Sequence, residues 1–360
     1  MNFNAFFLKS FRVLLLPFAL LYGFIITIRN YLYDKKYLRS AKFGLPLICV
    51  GNLSVGGTGK SPMVEYLVEL LGPRFETAIL SRGYKRKTKG YALASERTTA
   101  LEIGDEPMQF HRKYPNLTIA VGEERIVAIP QLLHDKPGTQ VVVLDDAFQH
   151  RAIKAGLNIL LTDCGNLFMH DWFLPTGDLR DERKSYRRAD IIVVTKCPET
   201  LTETEKNKII AGIKPLPHQQ VFFTTIEYGQ PYHIVSNEKR VLTTDDEVLL
   251  VCGIANPKPL KQYLAEHTAI YYQQSYRDHH IFSIDDLRDI RKKYEQLSGS
   301  QKFILTTEKD AVRLTKFSQD LAALPLFVLP IRHRFLFNGT EQFNRRVVDF
   351  IQQFQTKAVS

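Results

Sequence analysis

The sequence predicts an α/β protein: a parallel-sheet domain, a second and smaller α/β unit behind it, and an apolar helix in front. Three observations predict it. Short continuous apolar runs at 47–50, 77–80, 141–144, 157–161 and 191–194 alternate with stretches of helical spacing, the pattern of strands covered on both faces by crossover helices. Over 228–246 this loosens into polar, turn-rich sequence, and it resumes with strand-like runs at 248–251, 303–306 and 326–329. A run of 16 residues without a charge, 13–28, precedes the first strand. A chain of 360 residues exceeds one typical core. The expected division is a membrane-associated N-terminal helix over 1–40, a sheet domain over 41–235 and a smaller C-terminal α/β domain over 236–360.

As a helix, the run 13–28 would be about 24 Å long, against a bilayer hydrocarbon core of roughly 30 Å. A clean single span is therefore marginal. Upstream, Phe3, Phe6, Phe7 and Phe11 are interleaved with Lys9 and Arg12, a pattern that suits a helix lying in the interface with its cations reaching headgroups. Arg29, Lys35, Lys36, Arg39 and Lys42 follow the run. A cleaved leader is disfavoured, because Arg29-Asn30-Tyr31-Leu32-Tyr33 stands where small residues would be needed. A membrane-docking helix is expected, with a buried core helix as the rival; whether it spans or lies on the bilayer stays open.

Composition narrows the partners. Hydrophobic residues make up 44% of the chain, enough for a packed core, and the formal net charge of +10 suits an anionic partner. Nucleic acid is set aside, because the basic residues are not organised with aromatics on a recognisable nucleic-acid module. An anionic membrane surface or a phosphorylated substrate remains. Cys49, Cys164, Cys197 and Cys252 are scattered and form no C-x-x-C pair. They read as reduced thiols, three of them in or beside apolar runs, and not as a disulfide framework or a zinc site.

The strongest chemical signal follows the first strand: GNLSVGGTGKSP, residues 51–62. Strand, glycine-rich loop and helix in this order are the context of a P-loop, in which consecutive N–H groups wrap a phosphate at a helix N-terminus. Ser54, Val55, Gly56, Gly57, Thr58 and Gly59 would form the cradle. Lys60 would meet the β- and γ-phosphates of ATP, and the Ser61 hydroxyl would ligate Mg²⁺. Ser54 stands where the usual pattern has its first glycine. VVVLDDAFQH, residues 141–150, ends an apolar strand in Asp145-Asp146, where a Walker-B acid would hold Mg²⁺ directly or through water; which of the two touches the metal stays open. The sheet domain is thus expected to be P-loop NTPase-like, with ATP and Mg²⁺ as its cofactors.

These motifs, with SRGY, GDEP, LPTGDLR, RADIIVVTK, a DHH pair and TTEKDAV in this order, resemble the tetraacyldisaccharide 4'-kinase family of the lipid A pathway. The resemblance runs from the apolar start to about residue 310. It implies transfer of the γ-phosphate of ATP to the 4'-hydroxyl of a tetraacyldisaccharide 1-phosphate, at the cytoplasmic face of the inner membrane of a Gram-negative bacterium. It implies Asp105 as the base that accepts the hydroxyl proton, Glu106 as a further Mg²⁺ ligand and a histidine of Asp278-His279-His280 as the partner of Asp105. His279 is preferred over His280. His150 would line the nucleotide side with Asp145 and Asp146, and Arg82 and Tyr84 would approach phosphates or substrate. The chemistry fits: a carboxylate is a weak base for an alcohol, so a positioning partner helps. Asp105 and His279 fall on different predicted domains, so their meeting would require closure, which also excludes water.

Two charged stretches carry no fixed expectation. Residues 180–188 would meet anionic headgroups or form a solvated helix, and 85–89 would bind acidic lipid or be a surface loop. The alternative function is a P-loop GTPase or GTP-dependent metallochaperone, suggested by the strand ending in Thr195-Lys196. Cys197-Pro198 follows it, however, and the aspartate that would read guanine is missing.

Overall fold

Residues 12–359 are described by the computed structural model of the chain; Phe3, Phe6, Phe7, Lys9 and Phe11 lie outside them. The chain opens with α1 (Leu16–Asp34). It continues through β1 (Leu47–Asn52), α2 (Lys60–Leu71), β2 (Thr77–Ser81), β3 (Ala92–Leu93), α3 (Ala100–Ile103), α4 (Asp105–Lys113), β4 (Thr118–Val121), α5 (Arg125–Asp135), β5 (Val141–Asp145), β6 (Leu157–Asp163), β7 (Ile191–Thr195), α6 (Glu203–Ile213) and β8 (Gln220–Tyr228). A second unit holds β9 (Tyr232–His233), β10 (Glu247–Cys252), α7 (Lys258–His267), β11 (Ile270–Ser275), α8 (Ile284–Glu295), β12 (Lys302–Thr307), α9 (Glu308–Leu314), α10 (Ser318–Leu321) and β13 (Leu326–Leu329). The end is β14 (Ile331–Phe335) and α11 (Gly339–Val359).

The first sheet has nine strands in the order β14-β8-β7-β6-β1-β5-β2-β4-β3. The seven from β8 to β4 are parallel, and the two edges are antiparallel. Alternate residues of each strand feed opposite faces. Cys49, Leu80 and Leu144 pack with α5, and Val50, Ile79 and Val143 pack with α2 and α11. Both faces are dry, which is why the strands read as unbroken apolar runs. The second sheet, β11-β10-β12-β13-β9, is parallel except for β9.

The expected boundary needs a correction. The second sheet already begins with β9 at Tyr232, and it ends at β13. Beyond Pro330 the chain returns to the first domain: β14 pairs with β8, and Phe335, Phe343, Val347 and Ile351 join the first core. Residues 331–359 thus do not belong to the C-terminal unit, which is an insertion between two strands of one sheet. The apolar spacing of the last helix was legible, but spacing does not say which sheet a helix covers.

The helix α1 is neither buried throughout nor free. Asn30, 2% exposed, donates to Asp181 Oδ1 at 2.8 Å, while Phe18 is 63% exposed and Leu20, Leu21, Phe24 and Ile25 are also exposed. Tyr22 donates to the Arg180 carbonyl at 3.1 Å. No helix among the described residues is long and apolar enough to cross a membrane. The charged run 180–188 supplies the anchor for this helix: Asp181, Glu182 and Ser185 are buried, and Asp181 also pairs with Arg188 at 2.7 Å. In the other charged stretch, Arg86 bonds Glu123 at 2.7 Å. All four cysteines are free.

Candidate active site

The loop after β1 is shaped by glycines that need left-handed or otherwise positive φ: Gly56 at +103° and Gly59 at +83°. Gly59 is the N-cap of α2, so Lys60 and Ser61 fall in the helix's first turn, where free N–H groups point outward. Ser54 is buried and bridged to Leu179, and the Val55 N–H donates to the Asp178 carbonyl at 2.7 Å. Asn52, the last residue of β1, donates to Thr58 Oγ1 at 2.9 Å. Lys60 Nζ lies 3.4 Å from Asn52 Oδ1 and 3.6 Å from Asp146 Oδ1.

Three residues that the sequence reading missed hold this loop. Arg180 bonds Asp146 through both terminal nitrogens, Nη1 at 3.0 Å, and also reaches Asn52. Thr195, at the end of β7, donates to the Thr58 carbonyl at 2.9 Å. His333 of β14 bonds the Gly59 carbonyl through Nε2 at 2.8 Å, and its Nδ1 faces the Thr224 hydroxyl at 2.9 Å. A methyl group on Gly59 would lie 2.9 Å from this ring. Burial pushes His333 down to about 4, so the neutral ring donates from Nε2 and accepts at Nδ1. Arg180 stood within the LPTGDLR motif; nothing in the sequence marks His333, which arrives by the return of the chain from the second domain.

The acids at the end of β5 are set apart by their surroundings. Asp145 is 1% exposed; burial, with Glu106 and Asp146 close by, pushes it up to about 7. Its Oδ2 accepts from Ser81 Oγ at 2.9 Å, while its Oδ1 is buried without a hydrogen-bond partner. At Asp146 burial works against ionisation, but Lys60 and Arg180 outweigh it and hold the carboxylate at about 2. His150 is pushed down to about 4 by burial, then by Arg125 and Arg82. Arg82 and Tyr84 are exposed on the loop after β2, and the Tyr84 ring meets the His279 ring edge-on at 6.0 Å.

Asp105 opens α4, with Gly104 as the N-cap, so its side chain is not spent on capping. Helix α9 of the second unit lies along α4 and is tied to it at both ends. At one end Lys113 bonds Glu308 at 2.8 Å and Glu65 of α2 at 2.7 Å. At the other, Arg313 bonds Asp105 at 2.8 Å. This contact brings His279 Nδ1 to 3.3 Å from Asp105 Oδ2. His280 points elsewhere: it stacks on Tyr276 at 4.5 Å and faces Asp286 at 3.0 Å. The pair expected to need domain closure is thus already together. Arg313 stands three residues beyond Asp310, on the same side of α9, just past the TTEKDAV motif that could have marked it.

Among the described residues, no three His, Cys, Asp or Glu side chains form a group able to hold a metal on their own. The unpartnered Oδ1 of Asp145, with Ser61 on the adjoining helix and Glu106 near enough to perturb Asp145, is the donor set that fits Mg²⁺.

Comparison with known proteins agrees over almost the whole chain. The tetraacyldisaccharide-1-P 4'-kinase family model matches residues 11–352. A tetraacyldisaccharide 4'-kinase of Bacteroides thetaiotaomicron is 43% identical, the match covering 94% of this chain and 93% of that protein. One of Flavobacterium johnsoniae is also 43% identical, with coverage of 95% and 98%. The "apo" form of LpxK from Aquifex aeolicus in complex with ATP superposes with a TM-score of 0.74 at 30% identity, covering 95% of this chain and 99% of that one. A GTPase or metallochaperone finds no support in these matches. A P-loop sheet, an inserted second domain and full-length kinship thus converge: the chain belongs to the tetraacyldisaccharide 4'-kinase family, and its activity is ATP-dependent transfer of phosphate to a tetraacyldisaccharide 1-phosphate.

Proposed function

We propose that the transfer runs at the seam between the two domains, with Asp105 as base. The observation that carries this reading is the Asp105–His279 pair at 3.3 Å, on a helix whose next residue, Glu106, acts electrostatically on Asp145 at the P-loop edge. The hydroxyl oxygen of the acceptor sugar attacks the γ-phosphorus of ATP. The bond to the β-phosphate oxygen breaks as the new O–P bond forms, and ADP leaves. The hydroxyl proton passes to Asp105. Lys60 and the N–H groups of Gly56, Gly57 and Gly59 to Ser61 offset charge on the phosphates, and Arg180 keeps Asp146 in place beside Lys60. Ser61, Glu106, Asp145 and Asp146 would hold Mg²⁺, which when bound neutralises the β- and γ-oxygens.

The acceptor is an acylated disaccharide phosphate lipid, and the exposed apolar side of α1, followed by Lys35, Lys36 and Arg39, fits an anionic bilayer surface. Use of cytosolic ATP supports a position at the cytoplasmic face of the inner membrane. Detergent-solubilised protein is to be incubated with ATP, Mg²⁺ and a tetraacyldisaccharide 1-phosphate, with Lys60→Ala and Asp105→Ala beside it. Phosphate on the lipid, with large losses in both variants, is the expected result. Unchanged turnover by Asp105→Ala would remove the base assignment.

A further inference from the structure

Nδ1 of His279 stands 3.3 Å from Asp105 Oδ2 and 2.9 Å from Arg313 Nη2. A guanidinium carries only donors and stays charged, so a ring nitrogen bonded to it presents its lone pair. That nitrogen cannot also offer a proton to Asp105. The shorter, charge-assisted contact decides between them: Nδ1 is the acceptor, and the proton of the neutral ring sits on Nε2. The 3.3 Å separation is then that of two acceptors drawn together by one cation. Arg313 reaches Asp105 Oδ2 with both Nε, at 2.9 Å, and Nη2, at 2.8 Å. Oδ1 of Asp105 accepts no hydrogen bond among the described residues.

We propose that Arg313 is a positioning residue for the transfer: it holds His279 in the Nε2–H tautomer and turns the Asp105 carboxylate so that Oδ1 is left for the acceptor hydroxyl. The proposal rests on the reading of Asp105 as base.

The guanidinium is itself held. Arg313 is buried, with Nη1 3.5 Å from Asp310 Oδ1. Asp310 is fixed in turn by the Gly253 N–H at 2.9 Å and the Thr307 hydroxyl at 2.8 Å, so Arg313 is set by the end of β10 and the start of α9. The groups around His279 agree with the tautomer. Its Nε2 faces Asp278 Oδ2 at 3.9 Å, Lys309 of α9 holds Asp278 Oδ1 at 3.0 Å, and Tyr84 meets the ring edge-on. Burial, then Lys309, pushes His279 below its ordinary value, with Arg313 in the same sense, and together they outweigh the opposing pull of the Asp105 and Asp278 carboxylates, so the neutral ring is favoured. A lysine has no planar fork and would serve one acceptor at a time.

The test compares wild type with Arg313→Lys, Arg313→Met and Asp105→Ala, measuring ATP affinity, kcat and the KM for ATP. It also records nitrogen-15 spectra of the histidine rings, with His279→Gln to assign the signal. Both Arg313 variants should bind ATP as the wild type does. Their kcat should fall about tenfold for lysine and about a hundredfold for methionine, at unchanged KM for ATP, in the range of losses seen when a proton-transfer group is misplaced. His279 should read as Nε2–H in the wild type and as a mixture of tautomers in the variants. An Nδ1–H ring in the wild type, or a methionine variant with kcat within about twofold of wild type, would overturn the proposal. If the methionine variant does not fold, the lysine variant and the wild-type spectrum still decide it. Full turnover by Asp105→Ala would instead sink the base reading, whereas an inactive Asp105→Ala beside an unimpaired Arg313→Met would sink the role of Arg313 alone.

Discussion

The nucleotide edge of the first sheet and the seam between the domains are built in different ways. At the nucleotide edge, Lys60 and Ser61 open the helix that follows β1, and Asp145 and Asp146 stand at the end of the neighbouring strand β5, so a strand–loop–helix motif and an apolar run ending in two acids suffice to place them. At the seam, Asp105 meets His279 across 174 residues of chain and Arg313 across 208. No strand pairing joins these elements; the contact exists because α9 is pinned along α4 through Lys113 at one end and Arg313 at the other. One half of the site is local geometry repeated by the sheet, and the other is an agreement between two bodies. The two halves should therefore fail differently.

The largest contrast is expected between Lys60→Ala and Asp105→Asn. Both should lose turnover by about a thousandfold. Lys60→Ala should weaken ATP binding as well, whereas Asp105→Asn should bind ATP normally in a calorimetric titration. Equal ATP affinities in the two variants would erase the distinction between the halves.

Lys113→Met tests the seam as a structural joint. Lys113 is the single described cation bonding both Glu65 and Glu308, which are themselves buried. Removing it should destabilise the protein by about 3 kcal/mol, as for other buried pairs broken on one side. Denaturant unfolding should also show the second domain loosening before the first; a single unshifted transition would count against the joint.

His333 sharpens the comparison from the nucleotide side, because it ties the P-loop to the strand that returns from the second domain. Its folded value, about 4, lies below the ordinary 6.5 of histidine. Between these values the unfolded chain binds a proton that the fold refuses, so stability is lost as pH falls from 6.5 towards 4. By that shift the loss approaches about 3 kcal/mol. His333→Gln should flatten this part of the Tm-against-pH curve and raise the KM for ATP several-fold. An unchanged slope would show that other groups set the acid limb.

The smallest effect on chemistry is expected from the helix in front. Replacing Phe18, Leu21 and Ile25 with serine should reduce binding to anionic vesicles by about tenfold or more. Turnover of detergent-dispersed substrate should stay within about twofold, since these side chains are exposed. Undiminished vesicle binding, checked by co-sedimentation, would leave that face without a role.

Sequence alone determined a good deal here. Continuous apolar runs specify buried parallel strands, because covering a sheet on both faces leaves no polar side to its strands. The P-loop and the Asp145-Asp146 pair are legible because their chemistry depends on spacing along a few residues. The helical spacing of the last segment showed a helix, but only packing decided that β14 and α11 complete the first sheet and deliver His333 to Gly59. The run 180–188 looked like a solvated or lipid-facing surface. Burial of Asp181 under Asn30 and the reach of Arg180 to Asp146 turned it inward, and charge density in a sequence does not reveal which charges find partners. Asp105 and His279 were named by resemblance; that they share Arg313 was decided only where α9 docks on α4, since a contact between distant segments depends on the whole surface each presents and leaves no periodic trace in either.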